Sequence, residues 1–382
     1  MSLDTHHRGN LMDDPLNETV EERLTFNGDN RFHRELRRRV DAEFKRTGTR
    51  QRDSAQMYLK TALILSTFAL CYVALVFFAT TFLQALSLSL LLGVAMAGIG
   101  FNVMHDGGHQ AYSDLRWVNR VMALTLDLVG GSSYIWQWKH ARFHHTWVNV
   151  AGHDSDIDLG ILGRLSPEQP WHSWHRWQHF YLWVLYGVTA IRWHLYGDFR
   201  DMITGTVGVR TFSRPRGWDL AGFVLGKAAF LGLAFALPLV FHPLGAVLLF
   251  YAITAAVAGV LLALVFQMAH VVEEAEFPLP DATGLRIDKP WAIHQLETTV
   301  DFARGNRILC WLIGGLNFQI EHHLFPRISH VHYPAVSRIV EATCQEFGVP
   351  YRSHRTFAAG MASHYRWLRH LARPTTVNVP TL

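Results

Sequence analysis

The chain has 382 residues, of which 49% are hydrophobic and only 17% charged, against about 25% charged in an ordinary soluble chain. A net charge of +4 is too mild to argue for a nucleic-acid partner, and three scattered cysteines, Cys71, Cys310 and Cys344, give neither a disulfide framework nor a thiolate zinc site. Mean hydropathy is only +0.09, so the apolar residues must be gathered into segments, and 23 histidines stand out from the rest.

Residues 1–56 form a polar, basic segment without the apolar core of a secretory signal. It is expected to be extended or helical on the membrane surface. Two stretches then carry no Asp, Glu, Lys or Arg: Thr61 to Met104, and Ala228 to Ala269. Each is about twice the ~20 residues that cross a bilayer as a helix, so each predicts a hairpin of two spans. The spans fall at about 61–82, 85–104, 225–241 and 246–268, with turns near Thr80–Leu86 and at His242–Gly245. The fold class expected is therefore all-α and integral to the membrane: four transmembrane helices in two hairpins, under a cytoplasmic helical cap. Helices are required because hydrocarbon leaves open backbone groups unsatisfied.

Arg31, Arg34, Arg37, Arg38, Arg39, Lys45, Arg46, Arg50 and Arg52 precede the first span and should stay cytoplasmic. An even number of spans then puts residues 105–226, residues 270–382 and both termini on that side. Val118–Ile135, broken by Arg120, Asp127, Gly130 and Gly131, and the short aromatic patch Phe180–Ile191 predict interfacial helices rather than spans. Residues 57–355 make one membrane domain, and 356–382 a C-terminal tail.

Three histidine clusters occur: His105-Asp-Gly-Gly-His109, His140-Ala-Arg-Phe-His144-His145, and Gln319-Ile-Glu-His322-His323. His270 stands alone after the last span. Residues four apart on a helix share a face, so two imidazoles can reach one metal, while an adjacent histidine turns about 100° away toward a second. One HxxxH pair proves little, since roughly one is expected by chance at this histidine content. His175 and His179, set among Trp171, Trp174 and Trp177, are such a pair and predict an interfacial segment. Position is more informative. His105 and His270 sit at matching exits of the two charge-free runs, and the other clusters lie in the two segments after them. A structural zinc needs four ligands, whereas eight histidines suit two metals. Gln319, His294, Asp106, Asn149, Glu321 and Asp301 are candidates to ligate or to orient the ligands. His153 is expected near the site, His330 and His332 at a surface, and His6 and His7 outside it.

These motifs resemble the membrane-bound fatty acid desaturase family, with its three histidine boxes, over about residues 60 to 355. A third box beginning with Gln319, in the context Gly315-Leu-Asn-Phe-Gln-Ile-Glu-His-His-Leu-Phe-Pro326, is similar to the front-end group and to linoleoyl-CoA (delta-6) desaturases. Gln267-Met-Ala-His270 resembles the segment that supplies a further ligand after the last span. The resemblance implies two iron ions cycling between Fe2+ and Fe3+, with O2 as co-substrate. It implies a fatty acyl substrate carried on CoA, ACP or a lipid, and the introduction of a double bond. Zinc is expected in the site only as an artefact. No HPGG haem motif occurs, so electrons are expected from a separate ferredoxin or cytochrome b5. The second box has three residues between its first two histidines where many members have two. The alternatives are a diiron hydroxylase of lipids or alkanes, a histidine-rich metal transporter or sensor, and a membrane zinc hydrolase.

Overall fold

The computed structural model describes residues 24–374, which are mostly helical. His6 and His7 lie outside the described residues. Among the described residues, four helices are long and apolar enough to cross a membrane: Ala55–Phe78, Phe82–Gly108, Gly217–Phe241 and Leu244–His270. The third starts well before residue 225, because Trp218, Leu220 and Val224 extend its apolar run across Asp219. Between 17% and 33% of each apolar window is buried inside the protein, so most of each span faces outward. Leu70, Phe78, Leu83 and Val240 are among the exposed side chains, as lipid-facing positions require.

The turns are tight. The first is Ala79–Thr81, closed by a capping box in which Gln84 N donates to Thr81 Oγ1 (3.3 Å) and Thr81 N donates to Gln84 Oε1 (3.1 Å). The second is His242–Pro243, where proline starts a new helix and cannot continue the old one. His242 Nε2 donates to the carbonyl of Val76 (2.7 Å), tying the second turn to the end of the first span. Short π-helical stretches at Ala74–Phe78, Ile99–Met104 and Gly232–Ala236 interrupt the α-helical hydrogen bonding of three of the four spans.

Val118–Ile135 is no span. It breaks into the short helices Arg116–Ala123, Thr125–Leu128 and Ser133–Trp136, all with buried faces. Phe180–Ile191 lies within the helix Gln178–Arg192, which packs along the fourth span. The contact is backbone on backbone. A Cβ at Gly259 would lie 2.6 Å from the Tyr186 carbonyl oxygen, so only glycine lets the helices approach so closely. Lys227, in the third span, donates to Asp198 (2.7 Å) and to the Gly130 carbonyl (2.6 Å), a buried pair that pins this span to the chain beside the fourth.

The N-terminal helix Arg31–Thr47 inserts Phe32, Leu36 and Val40 into a core shared with Ile320, Leu324, Val336 and Val340. Its inner face is thus held by protein. The expectation of a tail from 356 is corrected: Phe357–Leu371 is a helix, and its His364 lies 2.8 Å from the Tyr186 hydroxyl and donates to the Val271 carbonyl (2.6 Å). Leu368 and Leu371 are fully buried, so packing carries a segment whose pattern is weak. Residues 375–382 lie outside the described residues.

Gly259→Ala is expected to cost about 1–3 kcal/mol through overpacking, read as a lower melting temperature in detergent. Gly245→Ala, where a Cβ meets nothing, is the control.

Candidate metal centre

The four chain segments that carry histidine meet in one buried volume. His105 and His109 come from the end of the second span, and His270 from the end of the fourth. His140 and His144 lie in the π-helical segment Gln137–His144, with His145 as its cap, and His322 and His323 in the helix Gln319–Leu324. The π-turn changes the phase expected from α-helical spacing. His145 N donates five residues back, to the His140 carbonyl (3.1 Å), so His145 turns inward with its neighbours.

Candidate ligand atoms of His105, His109, His140 and His322 lie within 4.8 Å of one another, as do those of His144, His270 and His323. His145 joins His322 and His323 in a third such group, linking the two. His145 and His323 stack with ring centroids 4.2 Å apart. His105 and His109 share a group, as their spacing predicts. His140 and His144 stack at 5.1 Å yet fall mainly into different groups.

The hydrogen bonds sort the nitrogens. His144 Nδ1 donates to Asp154 Oδ2 (2.9 Å), His270 Nδ1 to the Thr298 carbonyl (3.2 Å) and His323 Nδ1 to Gln295 Oε1 (2.9 Å). Each acceptor takes a proton and gives none, which fixes the tautomer and leaves Nε2 with a free lone pair. His322 Nδ1 lies 3.1 Å from the Tyr333 hydroxyl, and His140 Nδ1 3.5 Å from Asp156. The Nε2 atoms of His109, His140, His144, His270, His322 and His323, and both nitrogens of His145, are buried without a hydrogen-bond partner among the described residues. Burial, and then neighbouring histidines, hold His109, His145, His322 and His323 well below the usual imidazole range, so they are neutral. At His144 burial also disfavours charge, but the Asp154 carboxylate outweighs it and raises the pKa. Neutral, buried, inward-facing imidazoles fit a metal pair: each bare nitrogen is costly until a ligand or ion satisfies it.

A family model for fatty acid desaturase matches residues 80–355. This chain belongs to the fatty acid desaturase family. It is 39% identical over 353 residues to the sn-1 linoleoyl-lipid 6-desaturase of Synechocystis sp., covering 92% of this chain and 98% of that one. It is 38% identical to the enzyme of the same description from Arthrospira platensis, over 92% and 95% of the two chains. It is also similar to the acyl-lipid (8-3)-desaturase of Physcomitrium patens, at 36% identity over 88% and 71%. The chain is thus a membrane oxidoreductase that desaturates fatty acyl chains, of the front-end, delta-6-like group.

In this desaturase the other candidate residues divide by position. Gln319 lines the cavity beside His322. Asn149 donates to the His270 carbonyl (2.7 Å) and so sets where the fourth span ends. Asp106 faces away from the histidines, accepting from Ser329 Oγ (3.0 Å) and lying 3.1 Å from His330 Nδ1. His330 is therefore buried rather than at a surface. Asp301 and Glu321 lie behind the third box, 2.6 Å and 3.0 Å from the Tyr351 hydroxyl. Burial pushes Asp301 up to about 6, while burial and then Asp301 push Glu321 well above the carboxyl range. His294 is buried against Phe26 and joins none of the three-residue groups. His175 donates to the Ile161 carbonyl (2.9 Å) and His179 packs on Phe180 and Tyr365, so this pair lies outside the centre. His153 pairs with Arg210. Sequence reasoning missed Asp154, Asp156, Gln295, Tyr333 and the Thr298 carbonyl. The run His153-Asp-Ser-Asp156 drew notice for its histidine, whereas its carboxylates are what reach the site.

A cavity of about 300 Å³ opens beside His105, His140 and His322. Charged side chains, among them Lys139, Asp158, Arg192 and Arg200, and apolar ones, among them Met96, Leu126, Ala258 and Leu262, line it together. A second cavity, about 360 Å³, lies among the spans, lined by Phe68, Tyr72, Phe230 and Tyr251. Met96 and Val129 line both.

Asp154→Ala is expected to lower metal affinity about 10–100-fold, measured as metal retained against a chelator. His153→Ala should leave retention unchanged.

Proposed function

We propose that the eight histidines hold two iron ions, that the acyl substrate is lipid-linked, and that the site and both termini face the cytoplasm beneath two helical hairpins. The observation that carries this reading is the set of buried imidazoles with Nε2 bare, several of them with Nδ1 engaged, beside a largely apolar cavity. His105, His109, His140 and His322 serve one ion and His144, His270 and His323 the other, with His145 between them. Gln319 faces the cavity as a polar neighbour of the first ion. The relatives' descriptions as lipid desaturases support a glycerolipid carrier.

Two irons held by these histidines would supply the oxidising power that side chains lack, for an overall reaction in which two adjacent methylenes each lose one hydrogen while O2, two supplied electrons and two protons become two waters. The chain provides the geometry. Asp154, Thr298, Gln295 and Tyr333 hold the imidazoles in orientation. Trp136, stacked on His140 at 4.7 Å, and Phe266, 4.9 Å from His144, exclude water from the same face. The acyl chain lies in the cavity with its headgroup toward Lys139, Arg192 and Arg200 and its tail toward Met96. Electrons come from a separate ferredoxin or cytochrome b5.

Anaerobically purified protein is expected to hold about two irons per chain. His144→Ala or His323→Ala should abolish the double bond in host lipids analysed by gas chromatography–mass spectrometry. Normal product from the double variant would sink the ligand assignment, and hydroxylated product would sink the reaction. Met96→Trp should reduce conversion of long chains more than short ones, whereas equal loss across chain lengths would remove Met96 from the acyl path.

A further inference from the structure

The helix Trp291–Glu297 is laid against the histidine cluster and reaches three of its members. Trp291 Nε1 donates to the His145 carbonyl (3.3 Å). One turn on, Gln295 accepts from His323 Nδ1 (2.9 Å), and Thr298, just past the end, accepts from His270 Nδ1 (3.2 Å). Trp291 is the outward end of this contact. It is half-buried, and its ring sits 5.3 Å from that of His33 on the N-terminal helix.

That helix carries an unusual charge. Arg31–Thr47 contains seven arginines and lysines against three acids. The side chains of Arg31, Arg34 and Arg38 are 76%, 70% and 67% exposed. Arg37 is exposed one turn after His33, on the same helix face. The apolar face of the helix is already docked on the protein core, so its basic face is what remains to meet a partner. The reaction needs two electrons delivered one at a time to a centre that is otherwise enclosed.

We propose that Trp291 is the electron-entry side chain of this desaturase, and that the arginine face of Arg31–Thr47 docks an acidic one-electron carrier over it. This rests on the metal assignment made above. The carrier is an iron–sulfur or haem protein with an acidic face. Each docking oxidises one carrier by one electron. Two such electrons join the two electrons and two protons that leave the acyl chain as its two hydrogen atoms, and two further protons from solvent, to reduce O2 to two waters. The path runs from the carrier to the indole of Trp291, across its hydrogen bond to the His145 carbonyl, and through His145 to the metal pair. Opposite charges steer the encounter, so docking weakens as salt screens them.

The test uses full-length, iron-loaded protein in nanodiscs, with a reduced plant-type ferredoxin and a reduced cytochrome b5 as probes and dithionite as a small reductant that needs no docking surface. Binding is measured separately on metal-free protein by thermophoresis. Arg34→Glu with Arg37→Glu should weaken carrier binding about tenfold and flatten its salt dependence, while reduction by dithionite keeps its rate. Trp291→Leu should bind the carrier normally and retain iron, yet lower the ratio of carrier-driven to dithionite-driven iron reduction about tenfold or more, with Trp291→Phe recovering part of it. An unchanged ratio in Trp291→Leu overturns the entry route, and so does failure of both carriers to bind the wild type. Loss of dithionite-driven turnover in the arginine variants, only when the nanodisc lipid is anionic, overturns the docking surface and assigns that face to headgroups. Wild-type protein without iron, and without product under dithionite, overturns the metal assignment and this proposal with it.

Discussion

A buried imidazole with one nitrogen engaged and the other bare is the interaction on which the rest of this structure depends. A buried polar atom without a partner costs about 1–3 kcal/mol, and among the described residues eight such atoms meet in this one cluster: Nε2 of six histidines and both nitrogens of His145. No ordinary packing choice would concentrate so much unmet hydrogen-bonding in one volume. The proposed pair of metal ions would satisfy the set at once, and His109, His145, His322 and His323 are already neutral and need lose no proton first. The surrounding fold serves that arrangement. Two spans end on histidines, a π-turn brings three more to bear, and the helix Gln319–Leu324 closes the cluster from the far end of the chain.

The sequence made the spans legible because their signal is the absence of charge over long runs, which few other structures tolerate. Their limits were less legible. The third begins across Asp219, which pairs with Arg120 (2.6 Å), so a charge that reads as a boundary is neutralised by a partner far along the chain. The histidine boxes were legible as residue types, and His105 with His109 behaved as their spacing predicts. The second box did not, because its backbone is π-helical and the phase of His145 is set by i−5 hydrogen bonding. The residues that orient the ligands were the hardest to find. Gln295 acts on His323 and Tyr333 on His322 only because separate helices are packed together, and no local pattern marks either. Asp106 and Glu321, the acids beside the boxes, turn instead toward Ser329, His330 and Tyr351 and hold the cap together. Adjacency in sequence was a poor guide to adjacency in the site.

The helix Phe357–Leu371 teaches a similar point about stability. Its apolar residues are mixed with His364, Arg366, Arg369 and His370, and it looks like a tail until Leu368 and His364 are seen to fill the groove made by Gln178–Arg192 and the end of the fourth span. That groove exists because Gly259 lets two helices touch backbone to backbone. The last helix packs against both of these helices, and its His364 donates to the carbonyl of Val271, the residue next to His270.

The cavity gives this geometry a chemical consequence. Its charged lining, three basic residues (Lys139, Arg192 and Arg200) interleaved with Asp156, Asp158, Asp198 and Asp201, and its histidine lining, His105, His140 and His322, belong to one volume. The distance between a headgroup held at the first and a methylene presented to the second is therefore set by rigid protein. Nothing comparable fixes the other end. Beyond Met96 and Val129 lies a second apolar space among the spans, lined by side chains with few polar atoms to define a register. In the reading proposed above, with the headgroup at Lys139, Arg192 and Arg200, bond position would be counted from the headgroup end and the methyl end of the chain would be free to vary.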